Sequence, residues 1–203
     1  MEADPITYEN ALKQFHAGKY GDCIHEFNRL SKEGHAKSSF YVGAIYVKGG
    51  DGVLRNEIQA RSKFKQALAQ SEKFLPGAAL WLALMQFQGI GGAVDYASSL
   101  KNYQSVSGNP FAKVMIGVMK SEGKGCTRNE DAALQWFDRA WALGHPLGLR
   151  EAARIRFRRG HYIRGAFDFS RAVLLIIWFY GIRRIPKVES PNERLPWTWR
   201  RRT

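Results

Sequence analysis

The sequence predicts an all-α protein, a solenoid of about five antiparallel helical hairpins. Two observations carry this. A small residue followed four positions later by an aromatic and seven later by an apolar or small residue recurs five times. The sets are Cys23/Phe27/Leu30, Ala60/Phe64/Ala67, Ser99/Tyr103/Val106, Ala133/Phe137/Ala140 and Gly165/Phe169/Ala172. The spacing i, i+4, i+7 puts each set on one helix face. Upstream of each set lies a second small residue: Ala11, Gly43, Ala83, Gly117 and Ala153. Glycine inside a helix costs about 1 kcal/mol against alanine, a cost that close packing of two helices offsets. Two columns in phase, with intervals of 32 to 39 residues in the first, specify stacked hairpins.

The elements follow in order. A first hairpin over 1–35 turns at Gly18-x-Tyr20-x-x-Cys23. The second, third and fourth turn on glycine-rich loops at Gly49-Gly50-Asp51-Gly52, Gly89-Ile90-Gly91-Gly92 and Gly123-Lys124-Gly125. Between units, Gly108-Asn109-Pro110 and Gly144-His145-Pro146 stop one helix and start the next. Asn129 is a good N-cap, with Glu130 and Asp131 in the first helical turn behind it. A fifth hairpin over 146–184 turns at Gly160-x-Tyr162-x-x-Gly165 and runs into a long apolar helix. Residues 185–203 form a basic tail rich in Pro and Trp, in which Pro186, Pro191 and Pro196 block regular helix.

The central units resemble Sel1-like repeats, relatives of tetratricopeptide repeats. The resemblance is carried by Ala112, Ile116-Gly117, Gly123-x-Gly125, Asn129, Ala132-Ala133, Trp136-Phe137 and Ala140-Trp141 with Gly144. The unit around Gly43, Tyr46, Gly52-Val53, Ala60, Phe64 and Ala67 matches next best. The unit at Ala78 to Gly108 departs from the pattern, having lost the aromatic pair and most of its loop. The end units look like tetratricopeptide repeats, with tight turns. The domain reading is therefore a tetratricopeptide-like hairpin at 1–35, Sel1-like repeats at 36–145, a tetratricopeptide-like hairpin at 146–184 and the tail. The resemblance implies a right-handed solenoid that serves as an adaptor or scaffold for other proteins.

It also implies a groove lined by the first helix of each pair. The lining positions would be Tyr8, Leu12, Phe15 and His16, then Phe40, Val47 and Lys48, then Leu80, Leu84 and Phe87, then Val114, Val118 and Glu122, and last Arg150, Arg154 and Arg158. Such a groove is apolar and aromatic and ends in arginines. It suits an apolar peptide with an acidic end, because guanidinium grips carboxylate in a two-pronged way. The alternative is that the apolar members pack against the second-helix layer. Arg150, Arg154 and Arg158, at i, i+4 and i+8, are a solvated face or a binding face and not core.

Charge points to one end of the chain. Residues 1–149 hold 17 Lys+Arg against 14 Asp+Glu, whereas residues 150–203 hold 14 against 4. A basic end on a near-neutral body suggests one localised anionic partner. Residues 172–182, AVLLIIWFYGI, are the most apolar run. It is too short to span a bilayer core of about 30 Å. Three readings stay open: a helix capping the last repeat, an interfacial anchor with Trp178 and Tyr180 at the headgroups and Arg183 and Arg184 on phosphates, or a docking or homodimer surface through 172–182. Trp197 and Trp199, beside Arg200, Arg201 and Arg202, could serve the same anchoring or docking, or pack back on the solenoid.

Two cysteines give no disulfide framework, and the first residues carry acids and no apolar leader, so a cytoplasmic protein is expected, at the inner face of a membrane under the anchor reading. Cys23-x-His25 is a poor metal clamp, since i and i+2 diverge on a helix. No glycine loop ends in Gly-Lys-Ser/Thr, and no nucleophile–base set has supporting context. No enzyme activity, metal or cofactor is expected. The function expected is a non-catalytic adaptor, a regulatory or immunity-type partner being a narrower version. The alternative is an anionic-surface binder acting through the arginine-rich end, with lipid favoured over nucleic acid.

Overall fold

A computed structural model describes residues 5–71 and 75–177. These residues form ten helices and no strand; a single bridge between Gly50 and Val53 closes one loop. They fall into two compact units, divided after Val94. The first holds α1 (Pro5–His16), α2 (Tyr20–Lys32), α3 (Ala36–Lys48), α4 (Glu57–Gln70) and α5 (Pro76–Gln88). The second holds α6 (Tyr96–Ser105), α7 (Pro110–Glu122), α8 (Glu130–Ala142), α9 (Pro146–Arg158) and α10 (Tyr162–Ile177). The chain is the all-α solenoid that its two residue columns predict. Inside each unit, helices adjacent in sequence pack on one another, and α7 also meets α9.

The columns explain that packing. Phe27, Phe64, Tyr103 and Phe137 are all fully buried. A Cβ built on Gly43 would lie 2.8 Å from the ring of Phe64, and one on Gly117 would lie 2.5 Å from the ring of Phe137. The glycine of the first helix is thus a notch for the aromatic of the second. Each of the first two rings also touches the next first helix. Phe27 stacks on Tyr41 of α3 at 5.1 Å, and Phe64 stacks on Trp81 of α5 at 5.9 Å. Burying one such ring stabilises by roughly 1.5–3 kcal/mol.

Helix starts are set by short polar side chains. Asn129 Oδ1 accepts from the Ala132 amide at 2.8 Å, in keeping with the sequence expectation. Two further caps join it: Asn56 accepts from the Gln59 amide at 3.0 Å and Asp95 from the Ser98 amide at 3.0 Å. Asn109 takes the amides of Phe111 and Ala112 and is followed by Pro110 at the first helical position.

The loops are packed against the preceding repeat. Gly91 (φ +67°) presses on the Glu57 carbonyl at the start of α4, and Gly125 (φ +73°) on the Tyr96 carbonyl at the start of α6. A Cβ at these sites would sit 2.2 and 2.5 Å from those oxygens. No residue but glycine fits both the backbone angle and the space. A buried polar cluster adds to the seam among α2, α3 and α4. Ser31 Oγ and Ser39 Oγ lie 2.7 Å apart, and Gln70 Nε2 donates to the Ser31 carbonyl at 2.8 Å.

The fifth hairpin departs from the rule. Gly165 of α10 is buried against the Phe157 ring of α9, so the notch and the ring have exchanged helices. Phe169, the column aromatic, is 46% exposed, whereas Phe137 is 1% exposed. In the earlier hairpins that ring is covered on one side by the next first helix, and no described residue supplies one after α10.

Candidate partner-binding surface

The residues expected to line a groove separate into two groups. Phe15, Phe40, Val47, Leu80 and Leu84 are buried, while Tyr8 and Phe87 are half-buried. The reason is the aromatic column. Phe15 meets Phe27 and Tyr41, and Phe40 meets Phe64, so these side chains fill the space between helix layers. Tyr8 packs edge-on against Phe27 at 6.0 Å and His35 at 4.7 Å, and burial pushes its phenol well above the usual range. Lys48 is exposed; its ammonium lies 5.1 Å from the Phe15 ring and donates to the Tyr20 hydroxyl at 3.1 Å. These positions therefore offer a partner little apolar surface.

The arginine row is different. Arg150, Arg154 and Arg158 of α9 have half-exposed side chains on one face. Each is ion-paired. Arg150 meets Glu151 at 2.7 Å, Arg154 meets Glu122 and Glu151 at 3.3 Å, and Arg158 meets Glu130 at 2.8 Å. Glu130 also receives Arg128 and Arg159, and Arg159 reaches Asp131 at 2.7 Å. The hydrogen bond from Arg128 is the largest of the effects holding the Glu130 carboxyl below its usual range. Burial alone would raise Glu122, but Lys124 and Arg154 outweigh it and the carboxyl ends below its ordinary value. The pair between Arg154 and Glu122, with both partners partly exposed, is worth about 0–1 kcal/mol. A partner carboxylate can approach the three guanidinium groups from their solvent-facing side.

Arg156, on the opposite side of α9, is buried. It pairs with buried Asp168 of α10 and reaches Asp138 of α8 at 3.6 Å, joining three helices. Near the start of α9, buried His145 is lowered to about 4, first by burial and then by the charge of Arg150. Among the described residues no group of three His, Cys, Asp or Glu side chains is placed to hold a metal ion.

One surface is hidden from a linear reading of the sequence. Large apolar side chains are exposed singly at Leu54, Ile58, Val94 and Leu143, whereas Tyr162, Ile163, Phe167, Phe169, Leu174 and Ile177 gather on α10, at 46% to 91% exposure. The apolar run picked out by composition begins at Ala172; the exposed face begins ten residues earlier. Trp178, Tyr180, Arg183, Arg184, Trp197 and Trp199 lie outside the described residues, as do the rest of 178–182 and the tail.

Solved structures share this architecture. A Sel1 repeat protein from Oxalobacter formigenes superposes with a TM-score of 0.68 at 17% identity, over 86% of this chain and 76% of its own. The protein c5321, a protective antigen of uropathogenic Escherichia coli with an SLR fold, gives 0.69 at 20% identity over 93% of this chain, which spans 43% of that protein. MamA gives 0.62 at 13% identity over 87% and 96%. At these identities the likeness is one of fold. No curated protein matches the chain. The Sel1 repeat itself matches residues 36–71, 76–105 and 110–145, the three units whose capped second helices and glycine loops are described above, and the chain belongs to the Sel1 repeat family.

Proposed function

We propose that the protein is a non-catalytic adaptor whose binding face is centred on α9. The observation that carries this reading is the row Arg150, Arg154 and Arg158, half-exposed on one face of α9 with their acidic partners set beneath them. Repeat proteins of this kind present a row of side chains on a stiff scaffold, which suits recognition of an extended segment. The partner that fits is a protein or peptide with an acidic stretch. Its carboxylates would bind the solvent-facing sides of the guanidinium forks, beside Glu122, Glu130 and Glu151, and add charge-assisted bonds there. A regulatory or immunity-type role, in which one cognate protein is neutralised, is a narrower form of the same activity. The test is affinity capture from the native host with wild type and a triple Arg150→Gln, Arg154→Gln, Arg158→Gln variant, with partners identified by mass spectrometry. Capture lost in the variant, at unchanged melting temperature, supports the reading; the same partners captured by both discards it.

A further inference from the structure

We propose that α10 is an interfacial anchor that lies flat on an anionic lipid surface. Ile163, Phe167, Leu174 and Ile177 follow a 4-3-4-3 rhythm with Ser170 between them, so they form one line along the helix. This line faces away from Gly165, Asp168 and Ala172, the buried side of α10. Tyr162 and Phe169 widen it on one flank. Taking about 200 Å² for a side chain of this size, the six residues expose on the order of 800 Å². That is far beyond the scattered single apolar residues normal on a protein surface.

Solenoid continuation does not account for the line. In the register of Phe167, α2, α4 and α8 carry His25, Ser62 and Gln135, all exposed. In the register of Leu174 they carry Lys32, Ala69 and Ala142, again exposed. Those helices each have a following hairpin packed on them, and these positions still face solvent. A sixth hairpin would cover Phe169 and leave Phe167 and Leu174 bare. Their occupant comes from outside the stack.

Charge selects the occupant. Every arginine of α9 and its C-terminal neighbour Arg159 has an acidic partner. Arg164 and Arg171 of α10 have none among the described residues, and Arg171 lies 5.1 Å over the Trp141 ring and 5.4 Å over that of Phe167. Two positive charges thus border the apolar line on one side. Two copies docked through this face would bring like charges together; an anionic headgroup layer meets them with opposite charge. The sequence runs on as Trp178-Phe179-Tyr180 and Arg183-Arg184, the same pairing of apolar and basic residues. The apolar line runs along one side of α10, with Asp168 buried on the opposite side, which suits a helix lying on the bilayer; no described helix is long and apolar enough to cross a membrane.

The test is flotation of the full chain with vesicles of phosphatidylcholine alone and of phosphatidylcholine mixed with phosphatidylglycerol. Wild type should float with the anionic vesicles only. The double variant Phe167→Ser, Leu174→Ser should lower the bound fraction by about tenfold or more, and Arg164→Gln by about fivefold. All three positions are exposed, so melting temperatures should stay near that of wild type. Wild type left in the soluble fraction overturns the proposal. So does equal flotation of wild type and double variant, which would assign binding to another part of the chain. A dimer in light scattering that the double variant dissolves would give the face to a second copy instead.

Discussion

The fourth and fifth hairpins use one pattern to opposite effect. In α8, Phe137 is buried in the notch of Gly117 and covered by α9, while Gln135 and Ala142 face solvent. In α10, Phe169 is half-exposed and the solvent-facing registers hold Phe167 and Leu174. The difference shows that the repeat pattern sets which residues share a face, and that the neighbouring element decides whether this face is core. A residue in the right column is structural only when a second helix closes over it.

The comparison can be broken most directly at its two aromatic rings. Phe137→Ala should destabilise by about 3–5 kcal/mol, because it opens a cavity between α7, α8 and α9. Phe169→Ala should cost about 1 kcal/mol or less, since much of that ring already faces water. Equal losses in chemical denaturation would mean that α10 is covered in solution.

The next effect of comparable size is the link between the two hairpins. Asp168→Ala should cost about 3–5 kcal/mol by leaving Arg156 buried with only the distant Asp138 carboxylate. Replacing both partners, as Asp168→Leu with Arg156→Met, should recover most of that loss. A double variant no more stable than Asp168→Ala would show that the pair contributes more than its charges.

His145, in the turn between these hairpins, adds a pH dependence. Its imidazole is held at about 4 against an ordinary 6.5, so the folded state favours the neutral form. Stability from this group is complete above the unfolded value and is lost as the pH falls towards the folded one. The loss amounts to up to about 3 kcal/mol. The stability of wild type relative to His145→Gln should therefore fall as pH drops from about 7 to about 4, as read from melting curves. Parallel curves would place the imidazole in contact with water.

Two smaller changes sharpen the contrast. Gly117→Ala should cost about 1–2 kcal/mol, because its Cβ would meet the Phe137 ring at 2.5 Å in a packed core. Gly165→Ala should be nearly neutral, since the contact with Phe157 is looser at 3.1 Å and alanine favours helix. Last, Tyr103 occupies the same column as Phe137, but its hydroxyl is buried with no hydrogen-bond partner among the described residues. Tyr103→Phe should be neutral or stabilising by up to about 1 kcal/mol.

These contrasts also explain which features of the molecule the amino-acid sequence discloses by itself. The hairpins are legible because close packing leaves marks at fixed intervals: Gly43 and Gly117 make sense only opposite Phe64 and Phe137. Arg150, Arg154 and Arg158 are legible as exposed, since three like charges at one helical phase cannot enter a core, whereas buried Arg156 is not. Of their acidic partners, Glu151 lies on α9 itself, but Glu122 and Glu130 belong to α7 and α8 and only folding brings them near. The apolar face of α10 escapes notice in its first half for a simpler reason. A linear reading sees Arg164, Asp168 and Arg171 interrupt the run, whereas on a helix they fall to the sides and leave Ile163, Phe167 and Leu174 aligned. The caps Asn56 and Asp95 are hidden by loops of differing composition ahead of them.

The loop glycines carry a consequence for how such an array can grow. Gly91 rests on the backbone of Glu57 and Gly125 on that of Tyr96, so each loop serves as a joint between neighbours. A duplicated repeat can be inserted only if its loop retains a side-chain-free residue at that site. Lengthening the loop would lift it off the carbonyl beneath. The segments that look most dispensable, small and solvent-facing, are thus the least tolerant of insertion, and they tie the melting of one hairpin to that of the hairpin before it.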